Sequence, residues 1–299
     1  MLFLRSVLFL MGQIITAIIF TLIAFFTLPL NAVLANKIIA GWARCMIWWL
    51  GITCNITHKI NGLENIPTTP SIILSKHQSA WETLAFQAIF PAQCYVMKRS
   101  LLWIPIFGWG LACSSPIAID RSSGREALKK LVANGKNRLE KGLFVVVFPE
   151  GTRKAPNEHG KYHIGGAWLA AQSQTTILPV AHNAGEYWPK NSFIKRPGVI
   201  SVHIGKPIIS AGRKADALNT QVEIWIENEM LLLNVDAPIV IEKAIDEVKN
   251  RDEVKNRDEV KNRDEVKNRD EVKNRDEVKN GTELKTVADA KIVAGENIA

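Results

Sequence analysis

The stretch 143-LFVVVFPEGTR-153 decides the architecture. Its first six residues are apolar on both faces, the pattern of a central strand with helices packed on either side. The chain then turns through Pro149, Glu150 and Gly151 to a basic residue, Arg153. In open parallel sheets ligands bind outside the carboxyl ends of the strands, so the turn after such a run is where a site is sought. Gly151 lets backbone approach a ligand closely, Glu150 can accept a hydroxyl hydrogen bond, and Arg153 can grip a phosphate bidentately. Taken alone, the hexapeptide reads equally well as an ordinary turn with a surface arginine.

Outward from this run lie further strand-like segments: 71-SIILS-75, 93-QCYVMK-98, 116-PIAID-120, 176-TILPVA-181 and 199-VISVHI-204. Helix-like stretches fall between them at about 81–90, 122–141 and 164–173, the last rich in Ala and Gly and so suited to close packing. This alternation predicts an α/β fold, a largely parallel sheet covered by helices. An N-terminal membrane-associated helical pair (1–55) precedes the body (56–235), and a low-complexity tail (236–299) follows it.

Residues able to do chemistry recur at the strand ends. After 71–75 comes 76-KHQSAWET-83, with His77 five residues before Glu82 in a turn that enters a helix. A neutral imidazole can take a proton from an alcohol, and a carboxylate behind the ring fixes its tautomer and stabilises the imidazolium. The bland reading is a helix capping box in 79-SAWE-82, with Glu82 reaching back to the Ser79 amide. On that view the two roles compete for one side chain. Lys98 and Arg99 stand at the end of the strand 93–98, Asp120 and Arg121 at the end of 116–120, and 178-LPVA-181 is apolar enough to line a pocket.

The N-terminus speaks about location. Between Arg5 and Lys37 there is no charge, and 7-VLFLMGQIITAIIFTLIAFFTLPL-30 exceeds the ~20 apolar residues that cross a bilayer core. Leu34-Ala35-Asn36 is a poor cleavage site, so a removed signal is not expected. The next segment, 38-IIAGWARCMIWWLGI-52, is interrupted by Arg44 and carries Trp48-Trp49, which fits a helix lying in the interface. Net charge is +8, distributed as +4 over 1–120, +6 over 121–245 and −2 over 246–299. A basic body suits an anionic partner. Scattered charge without a binding motif argues against nucleic acid. Cys45, Cys54, Cys94 and Cys113 form no CxxC pair and are read as reduced thiols, with no metal site.

From Asp246 the hexapeptide DEVKNR repeats in five full copies and a sixth lacking Arg. At about 100° per residue, a six-residue step sends successive valines to three faces of a helix, so they bury no core. Pairs such as Glu247 with Arg251 would hold a solvated single helix. No catalytic role is expected there.

In their joint order these blocks resemble the glycerolipid acyltransferase family, which contains the 1-acyl-glycerol-3-phosphate acyltransferases. The chain offers His77 with Glu82, then Ile119-Asp120-Arg121, then 148-FPEGTR-153, then Pro179-Val180. Flanking text such as 103-WIPIFGWG-110 looks like the bacterial branch, and the resemblance covers about residues 35–215. It implies His77 as general base and Glu82 as its orienting carboxylate. Arg121 and Arg153 would bind the acceptor phosphate with Lys98 as helper, and Glu150, Gly151 and Thr152 would surround the glycerol. The sequence departs from the family pattern with Glu82 for Asp, Lys76 for Asn and Ala118 for Phe.

The implied reaction is direct transfer of a fatty acyl group from acyl-CoA or acyl carrier protein to lysophosphatidate, giving phosphatidic acid. No cofactor or metal takes part. No Gly-x-Ser-x-Gly elbow or Cys-His pair suggests an acyl-enzyme. The expected partners are lysophosphatidate, an acyl thioester and membrane lipids, and the expected place is the cytoplasmic face of a bacterial inner membrane. The competing readings are acylation of another lyso-lipid, such as a lyso-ornithine lipid, and a non-catalytic membrane protein that binds acyl thioesters.

Overall fold

A computed structural model of the chain describes residues 1–27, 29–120 and 123–233. The DEVKNR repeat and the expected tail domain 236–299 lie outside the described residues. Two helices open the chain, α1 (Leu2–Phe25) and α2 (Ala32–Cys54). Asn31 starts the second, its Oδ1 accepting the Leu34 N–H at 2.9 Å and satisfying an amide that a helix start leaves unpaired. Asn55 stops it in the left-handed region (φ 55°), which a short polar side chain tolerates.

The elements then alternate. They are β1 (Ile56–Asn61), β2 (Ile72–Ser75), α3 (Trp81–Ile89), β3 (Gln93–Lys98), α4 (Phe107–Cys113), β4 (Ile117–Ile119) and α5 (Gly124–Glu140). After these come β5 (Phe144–Val147), α6 (Gly165–Ser173), β6 (Ile177–His182), α7 (Ala184–Tyr187), β7 (Gly198–Ile204) and α8 (Ala215–Leu233). The strands form one sheet in the order β1-β7-β6-β2-β5-β3-β4. Every pairing is parallel except β6 with β7.

β2, β5 and β6 lie at the centre with every residue buried. Successive strand residues point to opposite faces, so two cores form. Ile73, Val146, Leu178 and Val180 pack with Met46 and Leu50 of α2 and Trp81 and Phe86 of α3. Ile72, Leu74, Val145 and Val147 pack with Leu131 of α5, Leu169 of α6, and Leu218, Val222 and Ile226 of α8. α6 approaches β2 so closely that a Cβ on Gly166 would stand 2.5 Å from Leu74 Cδ2, which explains its small residues.

The architecture is the expected one, with differences in detail. β1 is an additional strand whose alternating burial in 56-ITHKIN-61 broke the apolar run that flags the others. α8 was also unanticipated, although Leu218, Val222, Ile226 and Met230 form a stripe at four-residue spacing. The segment 38–52, expected to lie in an interface, is part of α2 and turns Ala43, Met46 and Leu50 into the core while Trp48 stays 63% exposed. Its spacing of small and apolar residues matches one helix face to the sheet. Asn36 joins it to β3: its side-chain amide donates to the Gln93 carbonyl, and its Oδ1 accepts the Gln93 N–H at 3.0 Å. Phe9, Met46 and Leu50 of the first two helices therefore share a core with the sheet and α3. The 178-LPVA-181 block is buried throughout, as part of β6. α1 contrasts with all of this: it exposes Ile14, Ile15, Ile18, Ile19 and Leu22, and by length and composition it can cross a membrane.

Candidate active site

β2, β5, β3 and β4 are neighbours running in the same direction, so their carboxyl ends open on one edge of the sheet. The turn after β2 carries His77, the turn after β5 carries 148-FPEGTR-153, Lys98 ends β3, and Asp120 follows β4. Arg121 lies outside the described residues.

His77 and Glu82 meet directly. His77 Nδ1 is 2.7 Å from Glu82 Oε1, and the same oxygen accepts the N–H groups of Gln78 at 2.9 Å and Ser79 at 2.8 Å. The Ser79 hydroxyl in turn accepts the Trp81 N–H at 3.1 Å. Burial works to push the Glu82 carboxyl up. The charge of His182, the His77 hydrogen bond and the Ser79 N–H outweigh it and hold the group below the ordinary carboxylate range. Burial lowers the pKa of His182 itself, whose Nε2 donates to the Lys76 carbonyl at 2.9 Å. The His77 ring and the Gln78 and Ser79 amides contact Glu82 directly and keep it ionised. An ionised oxygen that already accepts two N–H groups can only accept from the ring as well. Nδ1 thus carries the hydrogen and Nε2 the lone pair.

The imidazole plane is set by Phe148, which stacks on it at 4.0 Å between centroids and 13° between planes. The His77 side chain is 16% exposed and that of Glu82 is fully buried, so an incoming group reaches the base but not its orienting carboxylate.

Glu150 takes a different position from the one expected at the glycerol. Its side chain is fully buried and turned inward, with Oε1 accepting the His77 backbone N–H at 2.9 Å. Oε2 lies 3.3 Å from Lys76 Nζ, within ion-pair range but without hydrogen-bond alignment. Burial raises the Glu150 pKa, and the Lys76 charge opposes that without cancelling it. Glu150 therefore holds backbone and does not face the open edge.

Gly151 occupies the left-handed region (φ 68°), where its N–H donates to the Phe148 carbonyl at 3.0 Å and closes the turn. Thr152 is exposed, as is Lys98, and Arg153 is half-buried. The side chains of Arg153 and Lys98 form no hydrogen bond or ion pair among the described residues, which leaves both cations for an anion at this edge. Sequence reasoning missed Phe148 and Lys76 as parts of the site. Phe148 was legible as the first residue of the hexapeptide, and Lys76 as the neighbour of the histidine. The arrangement can accept a proton at Nε2 from a hydroxyl brought to the edge while the cations hold a negative group nearby.

A family model described as acyltransferase matches residues 57–183. The chain is 42% identical over 231 residues to the 1-acyl-sn-glycerol-3-phosphate acyltransferase of Pseudomonas aeruginosa, a match covering 76% of this chain and 90% of that protein. It is 30% identical over 206 residues to the Saccharomyces cerevisiae protein of the same name, covering 65% of this chain and 66% of that one. Its fold is similar to the crystal structure of the 1-acyl-sn-glycerophosphate (LPA) acyltransferase PlsC from Thermotoga maritima, with a TM-score of 0.65 at 21% identity. That match covers 77% of this chain and 95% of the other.

Proposed function

This chain belongs to the 1-acyl-sn-glycerol-3-phosphate acyltransferase family, and from that premise we propose how its own residues carry out the transfer. The reaction acylates the free hydroxyl of 1-acyl-sn-glycerol-3-phosphate and gives phosphatidic acid. His77 Nε2 takes the proton of that hydroxyl as its oxygen attacks the thioester carbonyl of acyl-CoA or acyl carrier protein. A carbon–oxygen bond forms, the carbon–sulfur bond breaks, and the proton passes from the imidazolium to the departing thiolate. Glu82 stabilises the imidazolium between these events, and Phe148 keeps its plane fixed. Arg153 and Lys98, with Arg121, bind the acceptor phosphate, while backbone at Gly151 and the Thr152 hydroxyl face the glycerol. The thioester is a co-substrate, and no cofactor takes part.

One observation carries this reading: a partly exposed imidazole whose Nδ1 is committed to a buried, ionised Glu82. α1 would hold the edge at a membrane, the cytoplasmic face of a bacterial inner membrane on this reading. The support is a 24-residue apolar helix whose large side chains point outward.

The test is thiol release by the purified full chain in detergent, given acyl-CoA and a panel of lyso-lipids. Release should require lysophosphatidate and vanish in His77→Ala. Equal turnover with a phosphate-free lyso-lipid would reject the acceptor assignment, and wild-type rates in His77→Ala would reject the base.

A further inference from the structure

We infer that Glu227 and Tyr162, neither of them part of the motifs, are positioning residues for this transfer, acting through buried Lys76 and Glu150 on the His77 backbone. The inference rests on the reading of His77 as the base. Tyr162 Oη donates to Glu227 Oε1 at 2.7 Å, and Lys76 Nζ donates to the same oxygen at 2.9 Å. Lys76 Nζ also donates to the Glu158 carbonyl at 3.3 Å and lies 3.3 Å from Glu150 Oε2. Glu150 Oε1 then accepts the His77 N–H.

The relay crosses the sheet. Lys76 reaches α8, which packs on one face, while its neighbour His77 reaches Glu82 of α3 on the other. The His77 ring is thus fixed from the α3 side and its amide from the α8 side. Lys76 is 2% exposed and Glu150 wholly buried, so a partner lost between them leaves a buried charge, while Glu227, 22% exposed, forms the outer end of the relay. Burial, and then Glu227, push the Tyr162 pKa well up, so the phenol stays protonated and remains a donor. Without Glu227, Lys76 loses the contact that holds its ammonium under Glu150. The carboxylate is then free to turn or to take a proton, and His77 loses the acceptor for its amide. Active geometries tolerate errors of only about half an ångström in such support.

The test compares Glu227→Gln, Glu227→Leu, Lys76→Met and the double variant Lys76→Met with Glu227→Leu, measuring kcat, both KM values and thermal melting on the full chain. Glu227→Leu should lower kcat by about tenfold or more with both KM values little changed. Glu227→Gln keeps an acceptor for Lys76 and Tyr162 and should recover most of the rate. The double variant should be no slower than the slower single, because groups that act as one unit are non-additive. A purely structural glutamate would move melting without this split in kcat. Should the leucine variant fail to fold, Tyr162→Phe removes one oxygen only and should still lower kcat severalfold at unchanged KM. Wild-type kcat in Glu227→Leu or Tyr162→Phe, with His77→Ala inactive, overturns the relay, as do kcat losses that simply add. Normal turnover by His77→Ala would overturn the base assignment, and the relay with it.

Discussion

The Oε1 atom of Glu82 stands 2.7 Å from His77 Nδ1 and at the same time accepts two backbone amides of the turn that begins α3. The helix start and the imidazole are held by one oxygen, so the two roles coexist where the sequence had suggested competition. Alanine at this position removes both. Glutamine separates them, since its carbonyl can still accept the three donors but cannot stabilise an imidazolium by charge.

Glu82→Gln should therefore melt close to the wild type while kcat falls by roughly 10²–10⁴. Glu82→Ala should show the same loss of kcat together with a clear drop in melting temperature. Steady-state kinetics alongside thermal melts distinguish the two. If the glutamine variant turned over near the wild-type rate, His77 would be working without a carboxylate.

His77 with Glu82 was legible because the pair is local, five residues apart in a strand-to-helix turn. The central strands were legible for a different reason: β2, β5 and β6 are buried on both faces and so read as unbroken apolar runs. Glu150 was misread because its burial depends on Lys76 and Glu227, which only the fold brings to it. The inward face of α2 was misread for a similar reason. A Trp-rich amphipathic helix looks the same in sequence whether its apolar side meets lipid or a sheet.

Arg153 offers a cleaner separation of binding from folding. Its side chain has no hydrogen-bond or ion-pair partner among the described residues, so Arg153→Ala should leave melting within about 0.5 kcal/mol of wild-type stability. The KM for lysophosphatidate should rise by about ten- to a hundredfold, the scale of a lost charge-assisted bond, while the KM for the acyl donor stays put. Equal rises in both KM values, or a melting loss of several degrees, would mark a structural arginine.

Membrane attachment is poorly tested by deleting residues 1–52, because Phe9, Met46 and Leu50 belong to the core and each contributes roughly 1.5–3 kcal/mol. The exposed face of α1 is the better target. Ile14→Glu with Ile18→Lys places two charges at i,i+4, where they support the helix, on residues 53% and 43% exposed. A charge at bilayer depth costs about 2.5–3.5 kcal/mol on insertion scales, so this variant should leave vesicles while keeping its melting temperature. Pelleting with vesicles as completely as the wild type would show that α1 is not the anchor.

Glu150 separates two views of the 148-FPEGTR-153 turn by kinetics and by pH. If its carboxylate touched the glycerol, Glu150→Gln would chiefly raise the KM for lysophosphatidate. Because Oε1 holds the His77 amide and Oε2 faces Lys76, the variant should instead lower kcat at nearly constant KM. Stability supplies the second readout. Burial leaves the folded pKa of Glu150 above its unfolded value, Lys76 only partly opposing it. The folded state then holds this proton more tightly than the unfolded chain does. The stability Glu150 contributes is fully present below the ordinary glutamate value of about 4.3 and is lost as pH rises through the raised folded value. Glutamine does not titrate, so the stability of the wild type relative to Glu150→Gln should decline as pH rises from about 4 toward neutrality. Denaturant melts of both proteins across that range check the sign. A wild-type advantage that grew with pH would mean that Lys76 holds Glu150 as a firm ion pair and that burial is the lesser influence.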